Sequence, residues 1–406
     1  MYKREATRRS LLQAAASGLL LAGGSGVTRL ARAGLLAGTI DSQVLDTLPG
    51  KAPLLKHSFR PPNYESPVEY LSDAITPNDR FFVRWHLANI PQVDAASWRL
   101  KVGGDALLQP FELTLEQLRQ EFDPVEVVAV CQCAGNRRGL CEPHVAGVQW
   151  GDGSVGNARW KGVRLKDILT RAGLKAEAIE VAFNGADSPV VEQTPDFVKS
   201  LPVWKALDDN TLIAYEMNGS ALPHWNGFPA RLIVPGWVGT YWVKQVISIN
   251  AQTQPLKSFW MNTAYRVPKG KYPAVDRFLS QESETSTPIT DIDVLSLMTN
   301  LSEGQRFRTG APRVIHGIAW DAGYGIRHVE VSLDEGGSWQ SATLGADLGR
   351  FSFRPWQFTF TPRSKGELTV IARAMNAQGI VQTESWIANP AGYRNNVVQK
   401  VRIHIV

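Results

Sequence analysis

The 406-residue sequence is poor in cysteine: it has three, all between positions 131 and 141. A framework of several disulfides is therefore excluded. No apolar run is long enough to cross a bilayer. The one near the N-terminus, 11–22, is broken by small polar residues and is too short for a spanning helix. There is no C-x-x-C-H motif, which excludes a covalently attached c-type haem. An excess of one charge is missing too. The net charge is +5, but the first 33 residues carry six basic residues against Glu5 alone, and the 37 basic and 37 acidic residues that follow balance. Nothing global points to nucleic acid or an anionic membrane as partner. No internal repeat is visible.

The N-terminus reads as an export signal. Basic residues precede the apolar run, and "ARA" (31–33) has the small-x-small pattern of a cleavage site. "TRRSLLQ" (7–13) resembles the twin-arginine signal. That route carries proteins that fold before export, often around a cofactor. The expectation is a signal peptide over 1–33 and a periplasmic protein.

Residues 34–75 are Pro-rich and irregular, and read as a surface arm. From 76 to 280, strand-like runs alternate with short helical patterns. "TLEQLRQEF" (114–122) opens with a Thr114/Gln117 capping box. "RLKDILTRAGL" (164–174) places Leu165, Ile168, Leu169 and Ala172 on one helical face, with Gly173 to end it. "TPDFVKSL" (194–201) has Thr at an N-cap position and Pro at N1, a helix start. "FPARLIVPG" (228–236) is a short buried strand. Without a regular βαβ period this is α+β. Near Gln281 the character changes. "SQESETSTPITDIDV" reads as a linker, and 281–406 holds short strands with turns at roughly ten-residue spacing, a β-sandwich of immunoglobulin size.

The cysteines sit in "VEVVAVCQCAGNRRGLCEPH" (125–144). Three readings compete. A disulfide leaves one cysteine over, and Cys131 and Cys133, two apart on a strand end, are poorly placed to bond each other. Cys131, Cys133, Cys141 and His144 make a Cys₃His set suited to zinc. Alternatively "VVAVCQ" is a buried strand that stops at "AGN". Cys133 then leaves the strand facing a cavity beside Arg137 and Arg138, which favours a thiolate ligand for a soft metal.

"CAGNRR" (133–138) resembles the molybdenum-binding signature of the sulfite oxidase family. "FFVRWHL" (81–87), "GVQWGDGSVGNARWKGVRLKDIL" (147–169) and "AYEMNGSALPHWNGFPARLIVPGWVGTYWVKQV" (214–246) resemble further family segments in the same order. The C-terminal strands resemble the family's dimerisation domain, and coverage is roughly 70–400. "GWVGTYWVK" and "LPHWNG" look closer to bacterial sulfite dehydrogenases than to the animal enzymes.

The resemblance implies a molybdopterin-binding domain followed by an immunoglobulin-like dimerisation domain. The cofactor implied is molybdenum on a pterin dithiolene, with Cys133 as metal ligand. His86, Asp187, Arg231 and Lys244 would hold pterin and phosphate. Asn226 stands where animal members have His before "GFP". Arg84, Arg138, Tyr265 and Arg394 would form the substrate site. The activity implied is oxygen transfer to sulfite, with electrons passing singly to a separate cytochrome c, either a haem c subunit or a transient partner. No haem is expected in this chain, and a homodimer is expected. Two alternatives remain: a dehydrogenase of protein-bound sulfur in the same family, and an exported, zinc-stabilised binding protein.

Overall fold

A computed structural model describes residues 45–272 and 278–406. The expected signal peptide lies outside the described residues. The framework of the first domain is strand Val155–Arg164, paired antiparallel with Pro124–Gln132 on one side and Leu212–Met217 on the other. Ala129, Val130, Cys131, Val155, Ala158, Trp160 and Val163 are all buried. Strands so enclosed carry near-continuous apolar runs, as "VVAVC" does. The backbones close tightly at Gly162, where a Cβ would stand 2.1 Å from the Ile213 carbonyl oxygen. A second sheet is ordered Val198–Pro202, Glu180–Gly185, Val246–Gln252, Leu100–Gly103, Phe111–Leu113.

Two of the three helices read from the sequence form. Helix Leu115–Gln120 starts on Thr114, with both halves of the capping box made. Helix Leu165–Arg171 buries Leu165, Ile168 and Leu169. The chain leaves it through Gly173 at φ +68°, a left-handed position glycine adopts at little cost.

Three expectations need correction. "TPDFVKSL" does not start a helix: Val198–Pro202 is a strand paired with Glu180–Gly185. Its local helix signals yield to a sheet edge that offers backbone partners and buries Lys199, Ser200 and Leu201. The described part of the 34–75 segment is not a surface arm. Leu45–Asp46, Leu54–Ser58 and Asn63–Glu65 form a four-stranded sheet with Val83–Arg84, and Leu54 and Tyr64 pack with Trp85 in a small core. Glu65 is buried and accepts from the backbone N–H of Gly151 (2.8 Å) and Gly153 (2.7 Å). The polar stretch after Gln281 is not a free linker. Ser286–Pro288 pairs with Arg266–Pro268, and Thr290 and Asp291 are buried.

The C-terminal region is a β-sandwich. One sheet is ordered Leu295–Met298, Arg313–Trp320, Arg354–Phe360, Thr343–Leu344. The other is ordered Gln305–Phe307, Gln399–Ile405, Gly366–Asn376, Ile326–Ser332, Gln340–Ser341. Alternating side chains such as Ile315, Val329, Val331, Phe358 and Ile403 fill its core. It packs directly on the first domain. Trp320 Nε1 donates to Gln132 Oε1 at 2.6 Å, and Val130 N to Phe351 O at 2.9 Å. No described helix is long and apolar enough to cross a membrane.

Candidate active site

Strand Pro124–Gln132 ends one residue before Cys133, and the loop that follows is pinned by its own backbone. Cys133 N donates to Ser154 O (2.9 Å), Asn136 N to Cys133 O (3.0 Å) and Arg137 N to Gly151 O (2.8 Å). Asn136 Oδ1 accepts from Ser154 N and Oγ at 3.1 and 2.7 Å. Arg137 turns the chain at φ +66° and pairs with Asp152 at 2.8 Å. Arg138 folds back over Gly135, where a Cβ would meet its guanidinium at 2.5 Å. "CAGNRR" is thus a rigid turn that sets one thiol and one guanidinium.

Two cavities meet at this turn. The first is lined by Cys131, Cys133, Arg84, His86, Asn226, Arg231, Lys244 and Tyr265 among others. The second, of about 260 Å³, is lined by Cys133, Arg84, Arg138, Tyr265, Trp150, Trp260 and Tyr393 among others. Cys133, Arg84 and Tyr265 belong to both. The structure therefore separates a pocket of expected cofactor residues from a pocket of expected substrate residues, with Cys133 in the shared wall.

The first cavity carries cations without anions. Arg231 is buried, with its guanidinium over the rings of Trp160 (5.4 Å) and Trp242 (5.7 Å). Its Nη1 donates to Asn226 O at 3.1 Å and its Nη2 to Cys131 Sγ at 3.4 Å, while Nε has no partner among the described residues. Lys244 Nζ lies 4.5 Å from the Trp85 ring centroid. Burial and the nearby Arg231 push the Lys244 ammonium down from its usual range. Burial likewise pushes the Cys131 thiol up and the Asp187 carboxyl up, the latter opposed by Lys244. Gly239 forms part of the wall, and a Cβ there would stand 3.2 Å from Cys131 Sγ. Buried cations, an orphaned guanidinium nitrogen and a thiol at the rim fit an anionic group bound through sulfur.

His86 and Tyr265 are joined, imidazole Nε2 to phenol oxygen. His86 stacks on Phe197 at 3.7 Å. Enclosure, with Arg84, Lys244 and Lys199 nearby, holds its imidazole well below the usual range, so it is neutral. Arg138 donates from Nε to Ala391 O (2.8 Å) and from Nη1 to Val148 O (3.2 Å), and lies over the Tyr393 ring at 5.2 Å.

Zinc and disulfide readings of the cysteines are not supported by the geometry. All three cysteines are free. Cys141 accepts from Asn395 Nδ2 at 3.5 Å, His144 is exposed, and no cluster of three or more His, Cys, Asp or Glu side chains that could hold a metal occurs among the described residues.

Two family models match the chain. The oxidoreductase molybdopterin binding domain covers residues 86–260 and the Mo-co oxidoreductase dimerisation domain covers 286–406. Mitochondrial sulfite oxidase of Homo sapiens is 35% identical over 373 residues, spanning 88% of this chain and 67% of that protein. Sulfite oxidase of Arabidopsis thaliana is 30% identical over 360 residues, spanning 83% and 90%. The chain belongs to the sulfite oxidase family. Among solved structures it is similar to the sulfane dehydrogenase SoxCD of Paracoccus pantotrophus, with a TM-score of 0.72, 25% identity, and coverage of 93% of this chain and 92% of that one. A molybdenum–molybdopterin group is therefore the cofactor of this sulfite oxidase-family oxidoreductase.

Of the ten site residues expected from the sequence, Cys133, Arg84, Arg138, Tyr265, His86, Asn226, Arg231 and Lys244 line the paired cavities. Asp187 does not line either, and acts on Lys244 through its charge. Arg394 is not brought to the substrate side. Its Nε donates to Asp293 Oδ2 at 2.8 Å and its guanidinium lies 4.8 Å over Tyr272, so that carboxylate and ring hold it away. The neighbouring Tyr393 reaches the cavity instead, stacked on Tyr265 at 5.6 Å.

Sequence reasoning missed three residues. Lys51, from the supposed arm, is buried and donates to Asn226 Oδ1 (2.5 Å), Asn78 O (2.6 Å) and Phe81 O (3.0 Å). Trp150 is fully buried in the second cavity's wall, with its indole N–H unpartnered among the described residues. Lys199 lies under Tyr265, 5.2 Å from the ring, and donates to Trp260 O at 2.7 Å. Trp150 sits inside a quoted family segment and was legible there. Nothing in "LPGKAPLL" marks Lys51. Cys131 also belongs to the first cavity's wall, where its thiol takes a hydrogen bond from Arg231.

Proposed function

We propose that this chain oxidises sulfite to sulfate, SO₃²⁻ + H₂O → SO₄²⁻ + 2H⁺ + 2e⁻, and hands the electrons singly to a c-type cytochrome. The observation that carries the reading is the shared wall: Cys133, Arg84 and Tyr265 stand between a cationic cofactor pocket and a second cavity that adds Arg138. When bound, the molybdenum–pterin group supplies the two-electron oxidant and the site of oxygen transfer, with Cys133 as ligand and Arg231 and Lys244 toward its anionic portion.

The chain's own residues do the rest. Arg84 and Arg138 bind the oxyanion and orient its sulfur toward Cys133, offsetting negative charge in a site partly shielded from water. Tyr265 offers a phenol at the same wall. With the neutral His86 in its Nε2–H tautomer, the imidazole donates to the phenol oxygen and frees the phenol proton for the substrate or product oxygen. Trp150 adds an indole N–H donor at that cavity. The Asn226 position, where animal relatives have His, is filled by an amide whose oxygen accepts from Lys51.

The C-terminal sandwich serves as the interface of a homodimer or of a complex with a haem subunit. The "TRRSLLQ" segment sends the folded, loaded protein to the periplasm. A second reading has support from the likeness to a sulfane dehydrogenase: the substrate is sulfur carried on a partner protein.

One experiment separates these. Molybdenum is measured in natively exported protein, and turnover is followed with cytochrome c or ferricyanide as acceptor. About one molybdenum per chain and rapid sulfite turnover are expected, lost in Cys133→Ser and largely kept in Cys141→Ser. Molybdenum without sulfite turnover would favour the carried-sulfur reading. Zinc without molybdenum would overturn both.

A further inference from the structure

The second cavity is large for sulfite. Four heavy atoms occupy on the order of two water volumes, roughly 60 Å³ at ~30 Å³ per water. The cavity offers about 260 Å³, several times that volume and enough for a small organic anion. Its wall is of two kinds. Cys133, Arg84, Arg138, Tyr265 and the indole of Trp150 supply polar groups. Val148, Trp260, Ala264, Ala391 and Tyr393 supply mainly apolar surface.

The cationic part has few donors left to spend. Arg138 commits Nε and Nη1 to the carbonyls of Ala391 and Val148. Arg84 commits one Nη to the Trp85 carbonyl. Arg394 is engaged by Asp293. A small anion with an apolar tail engages both parts of this wall.

We propose that the site also oxidises small organic sulfinates, R–SO₂⁻, to sulfonates, R–SO₃⁻, with R an alkyl or aryl group lodged against Trp260, Ala264 and Tyr393. The inference rests on the sulfite reading. A sulfinate keeps what that chemistry uses, a sulfur lone pair beside anionic oxygens. A sulfonate has the oxygens without the lone pair, so it binds and does not react. The balance is R–SO₂⁻ + H₂O → R–SO₃⁻ + 2H⁺ + 2e⁻. One S–O bond forms, sulfur loses two electrons, water supplies the oxygen and releases two protons to solvent, and a one-electron acceptor, cytochrome c or ferricyanide, is reduced twice.

The test uses the full molybdenum-loaded chain. Turnover of benzenesulfinate, methanesulfinate and sulfite is measured with ferricyanide, and benzenesulfonate binding is measured by calorimetry and by competition with sulfite. Benzenesulfinate is converted to benzenesulfonate, with a KM about tenfold below that of methanesulfinate because the ring buries apolar area. Benzenesulfonate binds and competes. Ala264→Phe, which fills the apolar side, lowers the ratio of benzenesulfinate to sulfite kcat/KM by about tenfold. Sulfite turnover without benzenesulfinate turnover overturns this proposal, whether or not the sulfonate binds, and leaves the sulfite reading standing. An unchanged ratio in Ala264→Phe overturns the assigned place of the R group. Loaded protein that fails to oxidise sulfite overturns the underlying reading.

Discussion

Arg231 should oppose folding and promote cofactor retention at once, and Arg231→Met separates the two. In the protein alone the guanidinium is buried against Trp160 and Trp242, its Nε lacks a partner, and its other contacts are a carbonyl and a thiol. An uncompensated buried ion costs several kcal/mol. Methionine keeps much of the packing volume and removes the charge, while the Asn226 carbonyl loses its donor at about 1–3 kcal/mol. The balance stabilises the cofactor-free variant by on the order of 1–3 kcal/mol. The loaded state moves the other way. A hydrogen bond from a charged donor contributes about 1.5–3 kcal/mol, so the anionic cofactor is held roughly 10- to 150-fold less tightly. The assay pairs the Tm of cofactor-free protein, purified from a host unable to make the cofactor, with molybdenum content per chain after exhaustive dialysis of loaded protein. The variant should melt higher when empty and lose molybdenum faster when loaded. A lower Tm with unchanged molybdenum would make Arg231 a structural residue and refute the reasoning.

Tyr265→Phe removes the phenol from the shared wall and should lower kcat/KM for sulfite by roughly 10²-fold, the scale of one lost transition-state donor, with molybdenum content unchanged. Because His86 is held well below its usual pKa, the wild-type kcat/KM profile should show no ionisation of that imidazole near pH 6.5; such a step, abolished in His86→Gln, would contradict its neutral state. Glu65→Gln leaves the Gly151 and Gly153 amides facing one oxygen in place of two and should destabilise the protein by about 2–4 kcal/mol in urea unfolding. Lys51 is pushed by burial down to about 7 from 10.5. Between those values the unfolded chain binds a proton that the folded chain does not, so this residue makes stability rise with pH, by at most about 1.4 kcal/mol per pH unit. Urea unfolding of cofactor-free protein at pH 7 to 9 should show a shallower rise in Lys51→Met than in wild type, and parallel slopes would contradict this.

The parts of the site legible in the sequence are those whose chemistry and backbone geometry are fixed by neighbours along the chain. "CAGNRR" could be read because one short turn sets both thiol and guanidinium: Gly135 is there so that Arg138 can fold back, and Asn136 is there to tie Ser154. The sandwich strands could be read because alternation along each strand is itself the record of which face is buried. Where a role depends on distant chain, local signals failed. "TPDFVKSL" has a sound helix start and becomes a strand, since Glu180–Gly185 offers a better set of backbone partners. Arg394 lies near the position expected of a substrate residue, but Asp293, 101 positions earlier, captures it. Lys51 gave no signal, because its three acceptors are brought to it only when the first strands join the sheet at Val83–Arg84. That last case bears on chemistry as well as on folding. With asparagine at 226, this chain braces a wall residue of the cofactor pocket with an amine from a segment whose composition resembles a loose arm. Substitutions that loosen the sheet formed by residues 45–65 should therefore lower molybdenum content before they unfold either domain.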